Sequence, residues 1–304
     1  STPIKSSAAS DVYKRQQYWP YGDQGMMMQN PYWITERDLF NNKKNRYMFG
    51  GSLAFKINDW MNISGRVRYD GTEEVRTKKY YASTLALFAG SDMGAYYKDE
   101  IATTQIYADA MLNVDKYIGD FSLKATLGAS IRDTQYDYSS MGGPLQSTAN
   151  VFTYSNLNLS SLRVAQNGYH DQTQAVFATA QVGYKSMAYL DLTGRNDWDS
   201  KLAFSNQSSF FYPSVGLSAV LSEMMSLPEW LTYAKVRGSY TVVASSFDRF
   251  LTNPGYEYNG QTHNWENPTV FPMDNMKPEK TKSWEIGLNL KFWENRFSLD
   301  ATYY

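Results

Sequence analysis

Ten segments of the chain alternate apolar and polar residues. In the clearest of them, residues 121–132, apolar residues occupy the odd positions and Ser, Lys, Thr, Gly or Arg the even ones. Because successive side chains of a strand point to opposite faces, each segment predicts a strand with one apolar and one polar face. Many segments have about the 9–11 residues that a tilted strand needs to cross a bilayer. The predicted strands are residues 47–57, 61–70, 103–114, 121–132, 174–184, 189–195, 213–221, 233–243, 282–292 and 296–304.

The connections between these strands are short and long in turn. Short turns are predicted at residues 58–60, 116–120, 185–188 and 293–295, long loops at 71–102, 137–173, 196–210 and 244–281, and an intermediate connection at 222–232. Outer-membrane barrels have short periplasmic turns and long extracellular loops, whereas the Greek-key connections of soluble sandwiches mix lengths. The pattern therefore predicts an all-β fold, part of an antiparallel transmembrane β-barrel with long extracellular loops. A large soluble all-β protein is the alternative.

Composition narrows the possible partners. The 304 residues carry a net charge of −1, so no basic excess points to a nucleic acid. No stretch approaches the roughly 18 apolar residues of a transmembrane helix. Aromatic residues make up 16% of the chain, and many of them, such as Tyr212 and Trp284, fall near predicted strand ends. Such residues suit the girdles that meet lipid headgroups, so membrane lipid is an expected partner.

A set of charged residues falls on the polar phase of the predicted strands. These side chains are expected to line a hydrated lumen, either around a plug or in a plain water-filled pore. The set comprises Arg66, Arg68, Asp70, Lys124, Arg132, Asp191, Arg195, Lys235, Arg237, Glu285, Lys291, Arg296 and Asp300.

Signals for catalysis, metals and cofactors are weak. The chain has no cysteine and two histidines, His170 and His263, both expected in loops. Two isolated histidines form no transition-metal constellation, and no GxSxG elbow accompanies the His170–Asp171 pair. No phosphate-binding glycine loop is present either. We therefore predict no catalytic residues, no metal site and no cofactor, and a protein that is not an enzyme.

The two ends of the chain are expected to lie outside the fold. Residues 1–16 are predicted to be a non-native leader, because residues 7–16 resemble a translated adapter sequence. Residues 17–45 are predicted to be a loop segment before the first strand, and residues 46–304 a partial barrel. No signal peptide is recognised, and the last predicted strand is still running at Tyr304. The chain is therefore expected to be truncated at both ends.

Several sequence blocks resemble the SusC/RagA family of TonB-linked outer-membrane transporters of Bacteroidetes. They occur in the order expected for that family and extend from about residue 30 to the end. The blocks are NPYW at 30–33, DWMNISGRVRYD at 59–70, GRNDW at 194–198, FFYPS at 210–214, AKVRGSY at 234–240 and KPEKTKSWE at 277–285.

The resemblance implies a function as well as a fold. The chain would form about ten strands of a larger barrel, with the plug domain and the TonB-contacting region absent from these residues. It would belong to an outer-membrane importer of oligosaccharides or oligopeptides, energised by the TonB complex and covered by a SusD-like surface lipoprotein. A passive or adhesive barrel remains the alternative, and a barrel-type hydrolase using His170 or His263 a further one.

Two aromatic and polar clusters are the candidate ligand contacts. The first lies in the GRNDW block, where a strand ends in charged and amide groups; the alternative is pairing with neighbouring strands, with Trp198 as an interfacial anchor. The second lies in residues 253–267, whose flat rings and amides suit sugar rings and hydroxyls; the alternative is packing on each other or on a partner protein. The candidates are Arg195, Asp197, Trp198, Tyr256, Tyr258 and Trp265.

Overall fold

The fold is an open antiparallel sheet of ten strands. A computed structural model describes residues 29–245, 248–260, 262–273 and 279–304, so the predicted leader at 1–16 lies outside the described residues. The strands are β1 (Asp38–Asn58), β2 (Met61–Tyr81), β3 (Gly94–Ile118), β4 (Phe121–Pro144), β5 (Arg163–Tyr184), β6 (Ala188–Asp199), β7 (Ser209–Val220), β8 (Leu231–Ser245), β9 (Glu257–Asn259), β10 (Asn264–Glu266), β11 (Glu279–Phe292) and β12 (Phe297–Tyr303). The short α-helices are α1 (Pro31–Arg37), α2 (Ala86–Ala89) and α3 (Leu221–Met224).

Neighbouring strands of the sheet follow one another along the chain. The order is β1 to β8, then β11 and β12, while β9 and β10 form a separate hairpin within the last long connection. All ten predicted strands are therefore confirmed. At one end of the sheet the connections are tight turns, apart from the connection between β7 and β8, which contains α3. The other connections lie at the opposite end, which we call the outer end. The alternation of connection lengths is that of a membrane barrel.

The strands at the outer end are longer than the sequence predicted. β2 continues to Tyr81 and β3 begins at Gly94, so the predicted loop 71–102 shrinks to residues 82–93. The loop predicted at 137–173 shrinks likewise to 145–162, and β1 begins at Asp38 rather than after residue 45. Residues 72–79 are polar on both faces apart from Val75, which removes the alternation on which the prediction relied. Both faces are expected to be wet where a strand leaves the membrane.

Strand pairing assigns the side chains to two faces. Residues directly opposite each other in an antiparallel ladder project to the same face, and Lys124 lies opposite Asp115 on β3 and Gln181 on β5. We call this the polar face. Followed across every pairing, it carries the whole predicted charged set except Arg296, which lies in the turn before β12.

The opposite, apolar face gives the height of the membrane band. On β4 it stays apolar from Phe121 to Ile131, and the next residue on that face is Asp133. Ten steps of about 3.4 Å along a strand tilted by about 40° rise about 26 Å, close to the band of about 25 Å in outer-membrane barrels. Leu53 is 85% exposed and Phe55 68% exposed on this face. The bilayer is the natural cover for such side chains.

The buried core of the described residues is concentrated at the outer end. Leu145 and Thr84 are almost fully buried, in the connections after β4 and β2. Thr84 accepts a hydrogen bond from the buried Trp33 indole at 2.9 Å and donates one to Asp38 at 2.9 Å. Burial raises the pKa of Asp38. The helix α1, which contains the YW of NPYW, is thus fastened to the connection between β2 and β3.

Candidate functional site

Pairs of opposite charge join neighbouring strands on the polar face. Arg66 on β2 donates to Asp109 on β3 at 2.8 Å, and the Asp109 side chain has no exposed surface. Arg237 reaches from β8 across β11 to Asp300 on β12 at 3.0 Å. It passes over Gly287, where an added Cβ would lie 2.4 Å from the guanidinium Nε. These pairs leave much of the wall's charge locally compensated.

A row of uncharged polar side chains crosses the same face. The row continues in register from β2 to β11 through seven strand pairings. Thr126 donates to Asn113 at 2.9 Å, and the hydroxyls of Ser214 and Thr241 are 2.9 Å apart. The row consists of Asn62, Asn113, Thr126, Thr179, Thr193, Ser214, Thr241 and Ser283. The wall therefore offers neutral hydrogen-bonding groups at this level.

The GRNDW candidates divide between the two faces. Arg195 and Asp197 lie on the polar face, where Arg195 Nε is 2.6 Å from Asp197 Oδ1 and donates to the Tyr212 hydroxyl at 2.9 Å. Tyr212 in turn donates to Asp197 Oδ2, and Asp197 is 8% exposed. Trp198 projects from the apolar face and is 42% exposed. The position of Tyr212 near a predicted strand end indicates an interface aromatic, but its hydroxyl closes this polar cluster instead.

The second group of candidates is brought together on the β9–β10 hairpin. Tyr258 and Trp265 lie opposite each other, with ring centroids 5.4 Å apart in an edge-to-face arrangement. Tyr256, just before β9, is 67% exposed, Tyr258 54% and Trp265 70%. Asn259 donates to Glu266 at 2.6 Å, diagonally across the hairpin. The hairpin therefore presents rings at the outer end of the sheet.

The connection that carries this hairpin contacts the polar face through an arginine. We call residues 248–260 and 262–273 the arm. Arg249 Nε donates to Asp171 Oδ2 on β5 at 2.6 Å, and its Cζ lies 3.5 Å from the Tyr169 ring centroid. Tyr169 stacks on Tyr136 of β4, with ring centroids 4.9 Å apart and planes inclined by 13°. The hydrogen bond with Asp171 raises the pKa of Arg249.

The sequence pattern does not predict this contact. Arg249 and Asp171 are 78 positions apart, and no motif in either segment points to the other. The only available signal was the two-residue spacing that places Tyr169 and Asp171 on one face of a strand.

The sequence of the whole barrel region matches a known family. The model of the TonB-dependent receptor-like β-barrel matches residues 4–304. The chain belongs to the TonB-dependent receptor β-barrel family. A TonB-dependent receptor, P3, from Formosa agariphila is 23% identical over 304 residues, covering 96% of this chain and 30% of the relative. The chain thus spans about a third of the length of the relatives that it matches.

Solved structures of TonB-dependent receptor barrels have the same fold. The RagAB peptide transporter superposes with a TM-score of 0.80 at 16% identity, covering 94% of this chain and 32% of that chain. The siderophore receptor PiuA from Acinetobacter baumannii gives a TM-score of 0.54 at 14% identity, over 87% of this chain and 40% of that chain. The predicted SusC/RagA-like barrel fold is confirmed. Membership of the TonB-dependent receptor β-barrel family confirms the predicted location in the outer membrane. In a TonB-dependent receptor barrel the polar face is the lumen wall.

His170 does not form a catalytic arrangement with Asp171. His170, which the sequence pattern predicts in a loop, lies instead on β5, and its Nε2 is 2.8 Å from both Asp133 oxygens on the apolar side. Hydrogen bonds with Gln172 and His170 hold the pKa of Asp133 below its usual range. Asp171 projects from the other face. Within the described ranges, no cluster of three or more His, Cys, Asp and Glu residues could hold a metal ion.

Proposed function

We propose that this chain is part of an energised importer that carries oligosaccharides or oligopeptides across the outer membrane. The TonB complex would supply the energy through regions outside these residues, and a SusD-like surface lipoprotein would cover the outer end. Membership of the TonB-dependent receptor family supports the transport class. The name of the RagAB neighbour, a peptide transporter, is consistent with one of the two substrate classes.

The observation that carries the proposal is the chemistry of the lumen wall. A plug domain held in the lumen must be bound and yet be able to shift. A wall of compensated ion pairs such as Arg66–Asp109, interleaved with a neutral row, offers many weak polar contacts. Such contacts exchange readily with water, since a net hydrogen bond is worth only about 1 kcal/mol. This wall suits a movable polar plug better than a tightly packed apolar core would.

The exposed rings of the arm are the better of the two candidate ligand sites. Tyr256, Tyr258 and Trp265 offer ring surface and edges at the outer end, where a substrate would arrive. Arg195 and Asp197 already bond to each other and to Tyr212, so a ligand would have to compete with that cluster. We therefore propose that the three arm residues make the first contacts and that Trp198, on the apolar face, anchors the barrel at the membrane interface.

Growth experiments test the importer. Deleting the gene of the whole transporter is expected to abolish growth on one complex glycan or protein while growth on its monomers persists. Deleting TonB should reproduce the defect. Growth that is indifferent to TonB would contradict energised import and favour a passive barrel.

A double substitution of the two histidines is the control for the hydrolase alternative. His170 bonds to Asp133 on the apolar side, and His263 lies in the turn of the hairpin. Replacing both by Gln is expected to leave uptake within about twofold of the parent, since neither histidine has a chemical role in the proposal. If the purified parent protein cleaved its nutrient and the double variant did not, the hydrolase would be favoured over the importer.

A further inference from the structure

A group of side chains on the lumen wall binds Arg249, and no function has yet been given to it. It consists of the Asp171 carboxylate and the Tyr169 ring, which is backed by Tyr136. Tyr169 and Tyr136 are directly opposite each other on β5 and β4, and Asp171 is the next residue along β5 on the same face. The three side chains are therefore positioned by the strands and not by the arm. They would remain together if Arg249 left.

The chemistry of this place selects a cation. A carboxylate beside the face of a stacked aromatic pair attracts a guanidinium or ammonium group by charge and by the ring quadrupole. Arg249 makes both contacts, with its Cζ 3.5 Å from the ring centroid and its Nε 2.6 Å from Asp171 Oδ2. The chain's own arginine thus demonstrates which group the place accepts.

Arg249 does not make the full set of hydrogen bonds that an arginine can make with a carboxylate. Its Nε and Nη2 both contact Asp171 Oδ2, so the pair lacks the two parallel bonds of a fork-to-fork arrangement. Asp171 Oδ1 accepts no hydrogen bond from the part of the chain that the structure describes. The Arg249 side chain is 34% exposed, which leaves it open to water and to competing groups.

The arm has a second attachment that does not involve Arg249. The Thr252 hydroxyl donates to the Ala203 carbonyl, after β6, at 2.6 Å. Release of the arginine would therefore not free the arm altogether. The hairpin with Tyr258 and Trp265 belongs to the same arm, so departure of Arg249 would affect the rings that we propose meet the substrate first.

We propose that Tyr136, Tyr169 and Asp171 form a subsite for a guanidinium or ammonium group of the substrate, which Arg249 occupies until that group displaces it. The subsite lies beyond the membrane band, because Tyr136 follows Asp133 on β4. It rests on the proposed import function and narrows the substrate to chains that carry cationic groups, such as peptides with arginine or lysine. Competition by Arg249 weakens the apparent affinity for such a group. The apparent association constant is the intrinsic one multiplied by the fraction of molecules in which the subsite is free.

A binding experiment with a matched pair of ligands tests the subsite. The probes are N-acetyl-Gly-Arg-Gly amide and the same peptide with citrulline, whose side chain has nearly the same shape but no charge. Binding to the whole transporter in detergent micelles is measured by isothermal titration for the parent and for Arg249→Gln. We expect Arg249→Gln to bind the arginine peptide about tenfold more tightly, or about 1.4 kcal/mol, and the citrulline peptide unchanged. Adding Asp171→Asn to that variant should abolish the gain.

Lys235→Gln is the matched control. It removes one positive charge from the same face, near Tyr189 and away from the subsite. Equal gains in affinity for the arginine peptide in Lys235→Gln and Arg249→Gln would mean that any lost positive charge has this effect, and would overturn the subsite. An equal gain for both peptides, or no gain in Arg249→Gln, would overturn it as well. Heat-modified migration on gels confirms that each variant is folded.

The test is independent of the import proposal. Binding in micelles needs no energy source, whereas the growth experiments depend on TonB. A gain specific to the arginine peptide alongside TonB-independent growth would support the subsite and contradict import. TonB-dependent growth without that gain would support import and contradict the subsite.

Discussion

An arginine placed on the apolar face should be far more costly than one placed on the adjacent polar position. Leu127 lies on the apolar face of β4, opposite Leu112 and Ala178, and is 56% exposed. It is six steps above Phe121, which is about 16 Å for a strand tilted by about 40° and therefore near the middle of the band. Leu127→Arg should cost about 2–4 kcal/mol of folding free energy.

Thr126→Arg is the matched substitution at the same depth on the lumen wall. It loses the hydrogen bond to Asn113, worth about 1 kcal/mol, while the new charge stays hydrated. The Leu127 variant should therefore be less stable than the Thr126 variant by about 2 kcal/mol. Urea titration of the whole barrel refolded into lipid vesicles measures both values. Equal stabilities, or a less stable Thr126 variant, would refute the assignment of the two faces.

Two further predictions concern topology and the Arg66–Asp109 ion pair. A cysteine at Ser147, in the exposed connection after β4, should react with an impermeant reagent on intact cells. A cysteine at Asn295, in the turn before β12, should not react. The opposite labelling pattern would reverse the assigned orientation of the barrel in the membrane. Arg66→Met should destabilise the barrel more than Lys124→Met does, because it removes the hydrogen bonds that Arg66 donates to Asp109, a carboxylate whose side chain has no exposed surface. Lys124→Met, whose exposed pair with an acidic neighbour spans 3.7 Å, should cost at most about 1 kcal/mol in the same urea titration; equal costs would contradict the role of burial.

The sequence predicted those strand segments that cross the membrane and underestimated those that leave it. Between Phe121 and Ile131 lipid lies on one side and water on the other, so the residues must alternate. Beyond that band, as in residues 72–79, water is expected on both sides and polar residues are acceptable on either face. Backbone pairing continues there without any hydrophobic pattern. Pattern analysis therefore locates the membrane band more reliably than the strand ends.

The candidate sites were predictable only as far as the two-residue period allows. Arg195 and Asp197 are two residues apart and share a face, and the same period places Trp198 on the other face. The partner that closes the cluster, Tyr212, depends on the register of the next strand. The Arg249–Asp171 contact depends on how a long connection folds back over the wall, which no local pattern encodes.

The same register links the stability of the barrel to the chemistry of its lumen. The neutral row from β2 to β11 exists because seven successive pairings place one Asn, Thr or Ser of each strand at the same level. A slip of one residue in any of these strands would turn its amide or hydroxyl group toward lipid and an adjacent apolar side chain toward water. For β6 that would expose Leu192 in the lumen in place of Thr193. Burial of the apolar face in lipid thus selects the register, and the register determines which polar groups a plug or a substrate meets.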